Sequence, residues 1–401
     1  MNRELYRELE TGIDVSWIRR ALQEMILIRS ENPFHDPPET GFREKEMADY
    51  LSGQMSSLGL KVERREVIPS RPNVLGYLGG TENHFTLMFA GHMDTARTTG
   101  YPDAYESKFE NGRIYGRGAC DMKAALAAYL AVVKILHDAR FKLRGQLIVC
   151  GNMDEEFQML GSKAIGRDGP RADQGIIGEP TGLQICPSNK GRVSTKIITR
   201  GRAAHSSVPE QGVNAIMQMA RIIQTFEDYN EELLRRPPHP LCGQGRFTPG
   251  VIRGGVQVNM VPDYCELEVD RRTLPGENKE SVYVEFHRRI EKARDQDSTL
   301  TYEITEPTWL IAPNDISPQE PVVEALRRAH LAVNHRDPGI HAFPAGTDAP
   351  YMGFPTVICG PGSIGQAHTT CEFVELEEVV GAAKIYLYAV LDLLGQEEVS
   401  L

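Results

Sequence analysis

No C-x-x-C pair occurs in this chain of 401 residues, and its seven cysteines (Cys120, Cys150, Cys186, Cys242, Cys265, Cys359 and Cys371) are scattered and odd in number. That pattern argues against a disulfide framework and for reduced thiols, so a cytoplasmic protein is expected. No long basic run offsets the formal net charge of −11, which disfavours nucleic acid as a partner. No apolar segment opens the N-terminal MNRELYRELE, so no secretory signal is expected there. The most apolar helical stretch, Ala124 to Leu136, is interrupted by Lys134 and is too short to span a bilayer, which excludes a membrane partner. Internal repeats and low-complexity segments are missing as well. What is present is ordinary globular composition, 41% hydrophobic and 25% charged, in a chain long enough for two domains.

Short β-rich apolar runs alternate with helical patterns. Asp14 caps a helix with Ile18, Leu22, Met25 and Ile26 on one face. Pro33, Pro37, Pro38 and Pro69 lie in the loops around a second helix from Thr40 to Leu58, which Gly59 stops. Leu60 to Val67 and Asn73 to Leu78 read as strands. Phe85 to Thr95 (FTLMFAGHMDT), Gln146 to Cys150, Gly175 to Gly178 and Pro355 to Cys359 read as buried strands, and an apolar helix is expected over residues 122–137. The fold class is α/β, a mostly parallel sheet sandwiched by helices. Residues 192–307 change character and read β-α-β-β-α-β, the order of a ferredoxin-like unit, with a helix from Val213 to Tyr229 and an alternating strand from Tyr264 to Arg271. An inserted domain at 192–307 within a discontinuous one at 1–191 and 308–401 is the expected organisation.

Ligands of open α/β sheets bind beyond the carboxyl ends of the strands. The residues found there are His92 and Asp94, Glu155 and Glu156, Glu179 and His368, with Asp121 at the mouth of the apolar helix. His92 and Asp94 are two apart, so in extended backbone both side chains leave on one side, and Asp94 is placed to receive the second ring N–H of a metal-bound His92. Two histidines with several carboxylates suit zinc, manganese or cobalt. The surplus of carboxylates suggests two divalent ions bridged by one of them. Taken singly, each residue also fits a structural role: Asp121 a helix cap, Glu155 and Glu156 a solvated pair, Glu179 a turn before Pro180, His368 a satisfied buried histidine. Their joint occurrence at separate strand ends favours the site. Gly360-Pro361-Gly362-Ser363-Ile364-Gly365 fits G-x-G-x-x-G, but no helix opens there, as a dinucleotide site would require.

These segments together resemble the di-zinc amidohydrolase family of acetylornithine deacetylase, succinyl-diaminopimelate desuccinylase, aminoacylase and carboxypeptidase G. The likeness rests on GHMDT (91–95), GRGACDMK (116–123), DEE (154–156), IIGEPT (176–181), the stretch 190–216, GTDAP (346–350) and GPGSIGQAHTTCEFV (360–374). Residues 176–216 look closest to the acetylornithine deacetylase branch. The resemblance implies that Asp121 bridges two metals, with His92 and Glu179 completing one site and Glu156 and His368 the other. It implies that Asp94 orients His92 and that a cis peptide bond follows Asp121. Glu155 would be the general base for water activated between the metals, and His205 would be supplied by the inserted domain, usually that of a partner subunit in a homodimer. Asn259, Arg271, Gly346 and Thr347 match substrate-binding positions. The activity so implied is hydrolysis of an N-acyl amino acid or related small amide. A dipeptidase or carboxypeptidase, a catabolic hydrolase of another C–N bond in an aromatic or xenobiotic compound, and a silent binding protein are the alternatives.

Overall fold

Four of the apolar runs become neighbouring parallel strands. In the computed structural model, which describes residues 3–34, 44–80 and 84–395, Gln146–Asn152, Thr86–His92, Gln174–Ile177 and Thr356–Ile358 lie side by side in that order, each parallel to the next. Arg71–Leu78 joins Gln146–Asn152 antiparallel, Lys61–Ile68 extends that edge, and Ile185–Asn189 lies antiparallel beyond Thr356–Ile358. Because the central four run the same way, their carboxyl ends open onto one rim. The mixed α/β architecture with a mostly parallel central sheet is thus the one expected. Pro37, Pro38 and Thr40 lie outside the described residues; the helix expected from Thr40 is described over Glu44–Ser57.

The helix Lys123–Asp138 is buried along nearly its whole length. It packs on the strand Thr86–His92 and against the helices Val15–Leu27 and Leu376–Leu394. Tyr129 stacks on Phe89 with ring centroids 4.6 Å apart and leans on Tyr386 at 5.1 Å. Fully burying such side chains stabilises by about 1.5–3 kcal/mol each. The buried Tyr129 hydroxyl reaches the carbonyls of Ala90, at 3.2 Å, and Ile176, at 3.3 Å, and so bridges two adjacent strands.

The chain divides into two compact units. One holds the residues up to Pro187, Ile316–His341 and those from Thr347 on; the other holds Ser188–Asp315 and Ala342–Gly346. The smaller unit is an antiparallel sheet in the order Arg246–Gly254, Tyr264–Thr273, Gly191–Arg200 and Tyr302–Ile304, with Trp309–Ile311 also on Gly191–Arg200. Strict alternation along Tyr264–Thr273 buries Cys265, Leu267, Val269, Arg271 and Thr273. Asn278 caps the helix Lys279–Arg294 through a reciprocal bond with Ser281. The helix expected from Val213 to Tyr229 is instead two, Ala215–Gln224 and Tyr229–Arg235. Buried Arg289 explains the break: it donates to the Thr225 carbonyl at 2.6 Å and to Asp228 at 2.7 Å, which takes an acceptor from the helix path. The rings of Phe226 and Tyr229 then pack on Phe247.

Candidate metal centre

The rim formed by the parallel strands gathers the acidic and imidazole groups. His92 ends its strand, Glu156 and Glu179 follow theirs closely, and His368 sits in the long loop after Thr356–Ile358. Two triads form, His92 with Asp121 and Glu179, and Asp121 with Glu156 and His368, each with its ligand atoms within 4.8 Å of one another. Asp121 divides its oxygens between them. Oδ1 lies 3.0 Å from His92 Nε2, and Oδ2 lies 3.5 Å from His368 Nε2. His368 Nε2 is also 3.0 Å from Glu156 Oε2. The peptide bond after Asp121 is cis.

The donor set fits divalent cations by its own chemistry. Glu156 Oε1 and Glu179 Oε1 are buried without a hydrogen-bond partner, an arrangement that costs about 1–3 kcal/mol or more per group unless a cation completes it. Burial, reinforced by Asp121, lifts the Glu179 carboxyl well above its usual range, and burial lifts Glu156 too. Burial and then Glu179 do the same to Glu155. For Asp121 burial pushes upward, but hydrogen bonds from His368 and His92 outweigh it and hold the carboxyl below its usual range. Burial opposes charge on His92, yet Asp121 prevails and raises it well above the usual value; Asp121 and Glu156 raise His368 to about 10. Without cations, protons bind this cluster together.

Asp94 departs from its expected role. The second ring nitrogen of His92 meets the Asp94 main-chain oxygen at 2.8 Å, while the nearest carboxylate oxygen is 3.7 Å away. The carboxylate is engaged elsewhere, accepting the amides of Glu155 and Glu156 at 3.1 Å each and the Asn32 amide group at 2.7 Å. Orientation of His92 therefore comes from Asp94's backbone, and its side chain holds the turn that carries Glu155. Asp154 starts that turn at φ 69° and is itself held by Asn32 at 3.0 Å and Arg71 at 3.0 Å, with Glu44 pairing Arg71.

The remaining expected residues fall elsewhere. His205 and Asn259 lie together in the smaller unit: His205 pairs with Met260 in a short antiparallel bridge, and the Asn259 carbonyl accepts from the Ser206 amide at 3.1 Å. The exposed His205 ring is 2.8 Å from the Ser207 hydroxyl. Arg271, expected to meet substrate, is fully buried and committed to Glu277 at 2.5 Å, Tyr229 at 3.3 Å and the Arg272 carbonyl. Its position, two beyond Val269 on the apolar face of an alternating strand, accounts for this. Gly346 backs onto Ile311, 2.7 Å from where a Cβ would stand, and Thr347 is buried. Next to it Asp348, a further member of the GTDAP segment, is buried on Ser162 and Asn152, and burial raises its carboxyl to about 6. The G-x-G-x-x-G segment has a packing role: a Cβ at Gly360 would stand 2.0 Å from the Gly178 carbonyl.

Comparison with known proteins places the chain in a family. The sequence profile of Peptidase family M20/M25/M40 matches residues 88–392. An acetylornithine deacetylase from Vibrio cholerae is 32% identical over 350 residues, covering 82% of this chain and 86% of the relative. An N-formyl-4-amino-5-aminomethyl-2-methylpyrimidine deformylase from Bacillus subtilis is 28% identical over 371 residues, 84% of this chain and 87% of the relative. Among solved structures, aminopeptidase PepT from Bacillus cereus superposes with a TM-score of 0.78 at 22% identity, covering 95% of this chain and 99% of that one.

Proposed function

This chain belongs to Peptidase family M20/M25/M40 and is a metal-dependent hydrolase of amide bonds; from that premise we propose that it is a deacylase acting on an N-acyl amino acid. The observation that carries the reading is the pair of triads sharing Asp121 with the buried carboxyl of Glu155 beside them. His92, Asp121 and Glu179 would hold one divalent cation and Asp121, Glu156 and His368 a second, zinc foremost with cobalt or manganese as substitutes, and the pair would supply Lewis acidity and lower the pKa of water. Glu155 takes the proton of the attacking water as the water oxygen bonds the acyl carbon. It then delivers that proton to the amine nitrogen as the C–N bond breaks, so acid and free amine leave. Asp94 keeps the Glu155 amide fixed while the side chain changes protonation. His205 hydrogen-bonds the carbonyl oxygen as charge develops on it.

A homodimer that supplies His205 in trans is part of the proposal. Support comes from the smaller unit's edge strand Arg246–Gly254 and the loop after it, where Val251, Ile252, Val256 and Val258 are exposed, Val258 completely. Unpaired apolar strand edges are sites for pairing with another chain. Sedimentation showing a fully active monomer would remove this part.

The pyrimidine deformylase relative supports a second reading, removal of a formyl group from an aminomethyl-heteroaromatic compound. Assay of N-acetyl, N-succinyl and N-formyl amino acids, an N-formyl aminomethylpyrimidine and dipeptides, each with zinc, cobalt and manganese, separates the readings. Turnover of acyl amino acids is expected; turnover confined to the pyrimidine or to dipeptides would displace the leading reading.

A further inference from the structure

His92, Glu156 and Glu179 take their places from strand ends, but Asp121 and His368 sit in long irregular loops, His368 at φ 60° and with its side chain 58% exposed. Something other than the sheet has to set their separation. The two loops meet at Glu372, which is fully buried. Its Oε1 accepts the consecutive amides of Cys120 and Asp121, at 2.9 and 3.0 Å, and its Oε2 accepts Arg117 Nη1 at 2.6 Å. Arg117 is buried as well, and its other arm donates to the Arg97 carbonyl at 3.0 Å. The Glu372 carbonyl accepts the Gly116 amide at 3.0 Å, and the strand it leads into, Phe373–Glu375, pairs with Arg113–Tyr115. Cys120 Sγ closes the junction on the Ser363 carbonyl at 3.2 Å.

From this we infer that Glu372 is a positioning residue for the second metal site: it locks the Asp121 loop to the His368 loop and so sets the distance across which Asp121 Oδ2, Glu156 and His368 hold their ion. The inference rests on the two-cation reading above. It makes the two sites unequal. His92 and Glu179, on the other side of Asp121, are positioned by strands and by Tyr129, so one ligand of the first site, Asp121, depends on Glu372 against two of the second, Asp121 and His368. A buried carboxylate accepting two amides and a guanidinium has charge-assisted bonds on both oxygens. Glutamine keeps one acceptor for the amides but turns an amide group toward Arg117, so Glu372→Gln loosens the lock while preserving shape.

Chelator-stripped protein titrated with Zn2+ in competition with a chromophoric chelator tests this. Wild type takes up two ions per chain; none or one would overturn the metal reading itself. Glu372→Gln with unchanged near-UV circular dichroism is expected to lose about 10–100-fold in affinity for one ion and to keep the other, the range typical of residues that orient ligands. In a His368→Ala background, which already lacks the second triad, Glu372→Gln is expected to lower the remaining affinity by less than tenfold, the share that passes through Asp121. Equal losses at both ions, an added loss of tenfold or more in the double variant, or no loss at all would overturn the inference. Should Glu372→Gln fail to fold, Arg117→Lys keeps the charge but loses the fork; a loss at the same single ion supports the inference, and equal losses or none refute it.

Discussion

Glu155→Gln is the sharpest perturbation of the proposed chemistry, because the structure separates the side chain's proton work from the loop's geometry. The turn is held through the Glu155 amide by Asp94 and not through the Glu155 carboxyl, so glutamine leaves the backbone where it is. It also contributes nothing to either ligand triad, so metal content is expected to stay at wild-type level. What is lost is the group that shuttles a proton from water to leaving nitrogen. Losing a positioned general base costs ~10²–10⁴-fold in rate, which at ~1.36 kcal/mol per decade is a barrier increase of about 2.7–5.4 kcal/mol. Stability moves the other way: the variant removes a half-buried acid whose ionisation Glu179 and burial oppose, so the metal-free variant melts no lower than metal-free wild type. Steady-state kinetics on the best acyl substrate, with elemental analysis of the same sample, gives the answer. Turnover within threefold of wild type at full metal content would refute the role of Glu155.

Metal-free protein should lose stability as pH rises from about 4.5 toward 7. Burial keeps Glu155, Glu179 and Glu156 protonated above their usual 4.5, and Asp348 up to about 6, so these four bind more protons in the native chain than in the unfolded one and outnumber His330, which burial lowers and which acts in the opposite sense below 6.5. Lys123, lowered to about 7 by burial, acts in the opposite sense only above that value. Urea unfolding of the stripped protein at both ends of the window checks the sign, and greater stability at the higher pH would contradict it. Asp94→Asn turns a donor either toward the Glu155 amide or toward the Glu156 amide and the Asn32 amide group together, so about 1–3 kcal/mol of stability and much of kcat should go while KM changes little; a change confined to KM would contradict this. Gly360→Ala places a methyl 2.0 Å from the Gly178 carbonyl and should destabilise by about 1–3 kcal/mol in the same unfolding assay, and a neutral effect would show that the two loops yield.

The ligands were legible because each follows an apolar run or a helix mouth closely enough for parallel topology to place it. His92, Glu156 and Glu179 needed only the rule that sites form beyond strand ends. Asn32, Glu44, Arg71 and Glu372 were not legible, since nothing in their local sequence separates a buried hydrogen-bonding role from an ordinary surface charge. Each gains its role from a partner distant in the chain, as Glu372 does from Arg117. Arg271 differs for another reason: the alternation that buries Cys265, Leu267 and Val269 continues to it, and that period, not its match to a substrate-binding position, decides where its side chain goes. The break after Gln224 was hidden because it comes from Arg289, far along the chain, and not from any local breaker.

The single hydroxyl of Tyr129 spans the carbonyls of Ala90 and Ile176, just upstream of His92 and Glu179, from the helix that starts beside Asp121. The first triad therefore inherits its dimensions from the interior of the protein, a cage whose bars cannot be bent by whatever enters. The second triad, with His368 facing solvent, is more like a gate held by one latch, Glu372. An ion of unsuitable radius should be refused by the cage and tolerated at the gate, so swapping one cation for another begins on the side of His368.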